Sequence, residues 1–186
     1  MKKALMSILI GGVIMGLLMS GISCTSKAEK EKAEYKESIT AILQRSEALD
    51  ADIKDTVDGQ QTWDEAKEEA DYLQQKDREL KSDLEAINVP SQLKENYSDI
   101  LNAFSLRADF LTYYKQDLSH GLAYDLAMIM YEHGNLEYLD KAGEWLLLRW
   151  DDMDKGNSAW NSYRSAILRA ADELDITIYI PLIEIK

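Results

Sequence analysis

Between Trp63 and Ile87, apolar residues step by threes and fours for three full heptads, a pattern that only a long helix satisfies. The positions are Trp63, Ala66, Ala70, Leu73, Asp77, Leu80, Leu84 and Ile87. At 3.6 residues per turn they form one stripe, whereas a strand would scatter them over both faces. Thr62-Trp63-Asp64-Glu65 opens the run as a capping box, the threonine accepting from an early amide while the glutamate reaches back. Asp77 is the polar residue of the stripe. It reads as a register device or a seam residue reaching solvent, with a buried functional acid as the alternative.

The same spacing recurs on both sides. Tyr35, Ile39, Ile42, Ser46, Leu49 and Ile53 mark a helix that Asp58-Gly59 stops. The short connection at 58–61 makes the next helix antiparallel to it. Asn88-Val89-Pro90-Ser91 ends that second helix, and Leu93, Tyr97, Ile100, Leu101, Phe104, Ala108, Leu111 and Leu118 mark a third, which His120-Gly121 is expected to close. A helical stretch over 122–133 meets Gly134-Asn135, either a short loop or a kink. Periodicity resumes at Leu136, Leu139, Gly143, Leu146, Trp150 and Met153. Asp154-Lys155-Gly156-Asn157 reads as a stop, and Trp160, Tyr163, Ile167, Ala170 and Leu174 mark a last helix. From about residue 175 the chain alternates through Ile176, Ile178, Ile180 and Leu182, with Pro181 suited to an edge or an extended arm. The expected fold is all-α: an up-and-down bundle of four to five long helices with an extended C-terminal tail.

The N-terminus has a different composition. Lys2 and Lys3 precede an apolar run over 4–19, and Ser20-Gly21-Ile22-Ser23 leads into Cys24, the single cysteine. Charge, apolar core and small residues in that order are the layout of a secretory signal. With the cysteine just after the small residues, the segment resembles the lipobox of bacterial lipoproteins. The resemblance implies cleavage before Cys24 and a diacylglyceryl group, palmitate among its acyl chains, on the Cys24 thiol. An uncleaved N-terminal membrane anchor is the alternative. Either places the domain outside the cytoplasm, because Lys2 and Lys3 hold the N-terminus inside. Two acyl chains anchor stably where one is marginal. The expected division is a signal peptide at 1–23, a lipidated cysteine and polar spacer at 24–36, and the bundle domain at 37–186.

Removing residues 1–23 leaves 19 basic against 34 acidic residues, a net charge of −15. Such a charge repels nucleic acid and anionic headgroups. Chemistry is poorly represented. Lipidation would use the one thiol, and the two histidines, His120 and His133, read as helix-end residues that complement the helix dipole. No Glu-x-x-His motif exists for a di-metal bundle site. Asp151-Asp152-Met153-Asp154-Lys155-Gly156 begins like a calcium loop, but Met153, Lys155 and Ser162 then fall on ligand positions. The expectation is a protein without catalytic residues, metal or cofactor.

Tyr124, Tyr131, Tyr138 and Trp145 recur at intervals of seven, with Met128 and Ala142 beside them. On a helix continuous through Gly134 they would flank the Leu122–Leu136–Leu146 seam. A helix apolar on two faces is either central in a bundle or presents one face to a partner. The four aromatic residues are thus core fillers or anchors for a protein or peptide partner. A lipid-anchored binding or scaffolding module of the bacterial envelope is the leading expectation. The alternative is a carrier or sensor holding a small apolar ligand near Met128, Met130 and the same aromatics.

Overall fold

The computed structural model describes residues 26–59 and 61–185. They form four long helices, α1 (Lys27–Asp58), α2 (Trp63–Glu85), α3 (Lys94–Glu132) and α4 (Tyr138–Asp172), with a 3-10 turn at Ser91–Leu93 before α3. No strand occurs among the described residues. Both α1 and α2 begin in capping boxes, Ser26 with Glu29 and Thr62 with Glu65. The polar stretch before residue 36 is therefore already helix. The stripe residues of α1 are buried, as are Ala66 to Leu84 of the α2 stripe, while Trp63 and Ile87 at its ends are partly covered.

Side-chain pairs along the helices set the directions. Tyr35 and Asp50 of α1 meet Asn96 and Arg107 of α3, so these two run parallel. Tyr97 reaches Leu84, and Arg107 reaches Asp77, so α2 runs opposite to α3. Asn96 meets Ala170 and Asp117 meets Arg149, which sets α4 antiparallel to α3. The order is up, down, up, down. In the centre, Trp160 lies 4.9 Å from Phe110 and 5.1 Å from Tyr163 between ring centroids.

Two expected breaks are absent, and the reason is the same for both. The helix does not close at His120-Gly121, and Asp154 to Asn157 lies inside α4. A Cβ on Gly121 would stand 2.4 Å from the Trp63 ring, and one on Gly156 would stand 2.6 Å from Cδ1 of Ile185. These glycines admit a neighbour to the helix surface, which repays the roughly 1 kcal/mol that a mid-helix glycine costs against alanine. Gly134 is a true stop. Its φ of +92° lies in the region that favours glycine, and α3 and α4 are joined there by a turn.

All four helices meet at Arg107, which is 0 % exposed. Its Nε donates to Asp77 at 2.7 Å and its Nη1 to Asp50 at 2.9 Å and to the Tyr163 hydroxyl at 3.0 Å. Nη1 also meets Ser46. Tyr163 in turn donates to the other oxygen of Asp50 at 2.6 Å. The guanidinium lies 4.5 Å from the Phe104 ring and 5.2 Å from that of Tyr163. Asp77 is thus a buried partner in an ion pair, not a residue reaching solvent. One cation faces two carboxylates, an arrangement that costs a great deal unless its members satisfy one another.

Burial raises the pKa of Asp50 above the usual carboxylate range, against the lowering effects of Arg107 and Tyr163, and Asp77 adds to the rise. Burial also raises Asp52 and Asp117. An acid with a raised folded-state pKa holds its proton more tightly when folded. Its contribution therefore favours folding as pH falls towards its unfolded value of about 4, and is lost as pH rises through the folded value. The net charge of −13 works in the same direction. The protein should melt at a higher temperature near pH 5 than at pH 7, with Asp50→Asn flattening part of that difference in a series of thermal melts.

The tail is extended, as expected, and runs antiparallel to α4. Side chains of α4 take the place of a partner strand. Asn157 accepts from the Ile185 amide at 2.8 Å, Trp160 Nε1 donates to the Pro181 carbonyl at 3.0 Å, and Arg164 Nε donates to Ile180 at 3.1 Å. Pro181 shifts the alternation by one residue. Ile180, Pro181, Ile183 and Ile185 are buried, and Leu182, expected to continue the inward face, is exposed.

Candidate partner-binding arm

α1 ends at Asp58 and α2 begins at Trp63, but α3 runs on to Glu132 and α4 starts only at Tyr138. The α3–α4 hairpin therefore projects beyond the rest of the bundle. Its base is well tied. The Trp63 ring packs on Gly121, and its Nε1 donates to Asp125 at 2.8 Å. The Arg149 guanidinium sits 5.5 Å from the Trp63 ring while its Nε donates to Asp117 at 2.8 Å. His120, inside α3 rather than at its end, lies 5.5 Å from the Trp145 ring with Nδ1 2.5 Å from Asp152. His133 does close α3, its Nδ1 2.8 Å from the Ile129 carbonyl. Residues 126–132 carry α3 roughly 10 Å past its bond to Trp63 at 1.5 Å per residue.

The four aromatic candidates fall on two helices. Tyr124 and Tyr131 belong to α3, and Tyr138 and Trp145 to α4, so the turn at Gly134 breaks the continuous stripe that the spacing of seven suggested. All four are half-buried. They share helix faces with the buried Ala127 and Ala142, and these faces form the seam where α3 meets α4. Lys141 covers the Tyr138 ring at 4.4 Å.

The exposed apolar surface lies outside that seam. On α3 it comprises Leu122, Leu126 (55 % exposed), Ile129 and Met130. On the turn and α4 it comprises Leu136 (74 %), Leu139, Leu147 (63 %), Leu148 and Trp150 (57 %). Tyr72, Tyr179 and Leu182 are the other large apolar residues this exposed among those described, so nine of twelve gather on the arm and at its base. Scattered exposed leucines are ordinary, so the unusual feature is their concentration on one segment of the chain. The seven-residue spacing falls on the segment that carries these leucines. It could not identify these leucines, because periodicity reads the same whether a stripe is covered or bare.

A groove of about 600 Å³ lies between α1 and α2 and is lined by Asp52, Asp55, Glu65, Glu68 and Glu69 together with Tyr72 and Leu73. No group of three or more His, Cys, Asp or Glu among the described residues is placed to hold a metal ion. Residues 151–156, considered for calcium, are helical. Cys24 and the segment before it lie outside the described residues. No helix among those described is long and apolar enough to cross a membrane. No protein-family model, curated protein or solved structure matches the chain.

Proposed function

We propose that the protein is a lipid-anchored, extracytoplasmic helical bundle of the bacterial cell envelope, serving as a binding or scaffolding module that engages another protein through its arm. The observation that carries this reading is the gathering of exposed apolar side chains at the end of the bundle opposite Ser26. With α1 about 48 Å long at 1.5 Å per residue, an anchor at Cys24 would hold the arm well away from the membrane. The apolar-ligand carrier gains no comparable support. Met130 is exposed, and the grooves between α1 and α2, beside residues 87–91 and beside the tail are lined largely by polar and charged side chains.

The address has its own test. Wild-type protein should incorporate a labelled fatty acid, and Cys24→Ala or a block of lipoprotein signal peptidase should leave an unprocessed form without label. Processed wild-type protein lacking the label would refute lipidation, and an unprocessed, unlabelled wild type would establish the uncleaved anchor. Binding is tested by crosslinking and pull-down from membranes. Tyr131→Ala and Tyr138→Ala probe the seam, and Leu147→Glu probes the outer face. Loss of a captured partner with an unchanged helical melt supports the arm as the binding surface; full retention by all three variants refutes it.

A further inference from the structure

The ring of helices is left open on one side. α1 packs on α2, α2 on α3 and α3 on α4, but the backbones of α1 and α4 scarcely approach each other. The tail lies in that seam. On the α1 side Glu47 accepts from the Tyr179 amide at 3.2 Å. Lys54 and Asp58 line, with Asn157, Asn161 and residues 182–184, a groove of about 380 Å³ beside the tail. On the α4 side Arg164 and Trp160 donate to the carbonyls of Ile180 and Pro181, and the Asn157 side chain both accepts from and donates to the backbone of Ile185. Five backbone groups of the tail are thus held by side chains of two helices, whatever side chains the tail itself carries.

The tail's side chains add a pattern to this. Ile180, Pro181, Ile183 and Ile185 are buried, while Leu182 and Glu184 face out. Ile185 sits over Gly156, where a Cβ would stand 2.6 Å from its Cδ1. Pro181 suits a buried place, since it brings no N–H that needs an acceptor. Main-chain bonds for affinity and pockets for alternate side chains for selectivity are the means by which proteins bind extended peptides. The tail is also separable from α4. Ile176 N donates to Ala171 and Asp175 N to Asp172, both at 2.9 Å, with Asp175 at a φ of +53°. This left-handed cap completes the helix, so nothing after Ile176 is needed to end it.

We propose that the α1–α4 seam is a binding groove for an extended segment of another protein, one with aliphatic residues alternating after a proline, and that the tail is a releasable strap occupying it. The chemistry of the occupant is that of the tail, whose fit is seen directly. A second copy's tail would bring a net charge of −13 with it, so repulsion favours a segment from a neutral or basic partner. A tethered tail acts at an effective concentration on the order of millimolar, so a partner segment displaces it by fitting the groove better or by meeting a loosened tail. The site is separate from the arm and does not depend on it.

Two measurements on the full chain test this. In native-state hydrogen exchange the Ile185 amide, held by Asn157, should exchange roughly a hundredfold or more faster than core amides of α3 such as that of Phe104, because the strap opens while the helices stay closed. An Ile180→Asp, Ile183→Asp double variant should free the tail and melt lower than wild type, yet cooperatively. It should bind a labelled synthetic peptide of residues 176–186 roughly tenfold or more tightly than wild type does. The same peptide N-methylated at residue 185 should bind roughly tenfold more weakly, since it offers Asn157 no backbone donor. Tail amides that exchange only with the core, or a double variant that unfolds, overturn the strap. A folded variant that ignores the peptide, or binds the two peptides alike, overturns the groove. Wild-type dimers abolished by the two substitutions would give the seam to a second copy's tail and overturn the partner segment. None of these outcomes bears on the arm, whose own variants leave the tail intact.

Discussion

Arg107→Met should destabilise the bundle by about 3–5 kcal/mol, the loss typical when one member of a buried ion pair is removed. For a domain of this size that lowers the melting temperature on the order of 10 °C. The effect does not come from lost packing, because methionine fills much of the same volume. It comes from Asp50 and Asp77, which are 0 % and 2 % exposed and would face each other without a cation. They would have to take up protons or bring in water, and both weaken the folded state. The loss should therefore shrink at acid pH. Adding Asp50→Asn and Asp77→Asn to Arg107→Met should recover part of it, since a neutral cluster costs less than an unpaired charged one. Thermal melts of the single and triple variants at two pH values decide the matter. A single variant melting within a degree or two of wild type would mean that no such ion pair holds the centre.

The sequence contained half of that cluster in readable form. Asp77 stands out as a charge within an otherwise apolar stripe. Arg107 is equally conspicuous once Ile100, Phe104, Arg107, Leu111, Tyr114 and Leu118 are written as four- and three-residue steps, all of them buried. The reading through Ala108 passed beside it. Ser46 occupies the matching position of the α1 stripe, so three helices each place a polar residue on the core face at one height of the bundle. Asp50 and Tyr163 complete the set and were harder to see, because tyrosine serves equally well as an apolar core residue.

Glycine was the less faithful signal. Gly59 and Gly134 end helices, whereas Gly121 and Gly156 sit within them and receive Trp63 and Ile185. Local sequence cannot separate these cases, since what fixes the second pair is a side chain from another part of the chain. The tail shows a similar limit. Its alternation was legible, but its partners are the side chains of Asn157, Trp160 and Arg164, and no strand-pairing rule anticipates an amide side chain standing in for a strand. The arm was legible as a doubly apolar segment. Its exposure was not, because it follows from the difference between the 23 residues of α2 and the 39 of α3.

That difference predicts opposite outcomes for one substitution at two leucines. Leu80→Asp should be severely destabilising, because Leu80 is 4 % exposed in the most regular seam and the substitution puts a carboxylate where a buried apolar side chain packs. The variant should lose most of the cooperative helical melt. Leu136→Asp, in the turn at the tip of the arm, should leave the melt within about 0.5 kcal/mol of wild type, as surface changes usually do. It should also reduce whatever association the arm supports. Circular dichroism melts of the two variants beside wild type test both halves. If Leu80→Asp melts like wild type, the register of α2 is wrong. If Leu136→Asp unfolds the domain, the arm's apolar residues hold the fold together, and the case for a partner loses its physical basis. With both outcomes as expected, the leucines of the body and those of the arm have different work to do, the first closing the chain on itself and the second meeting another molecule.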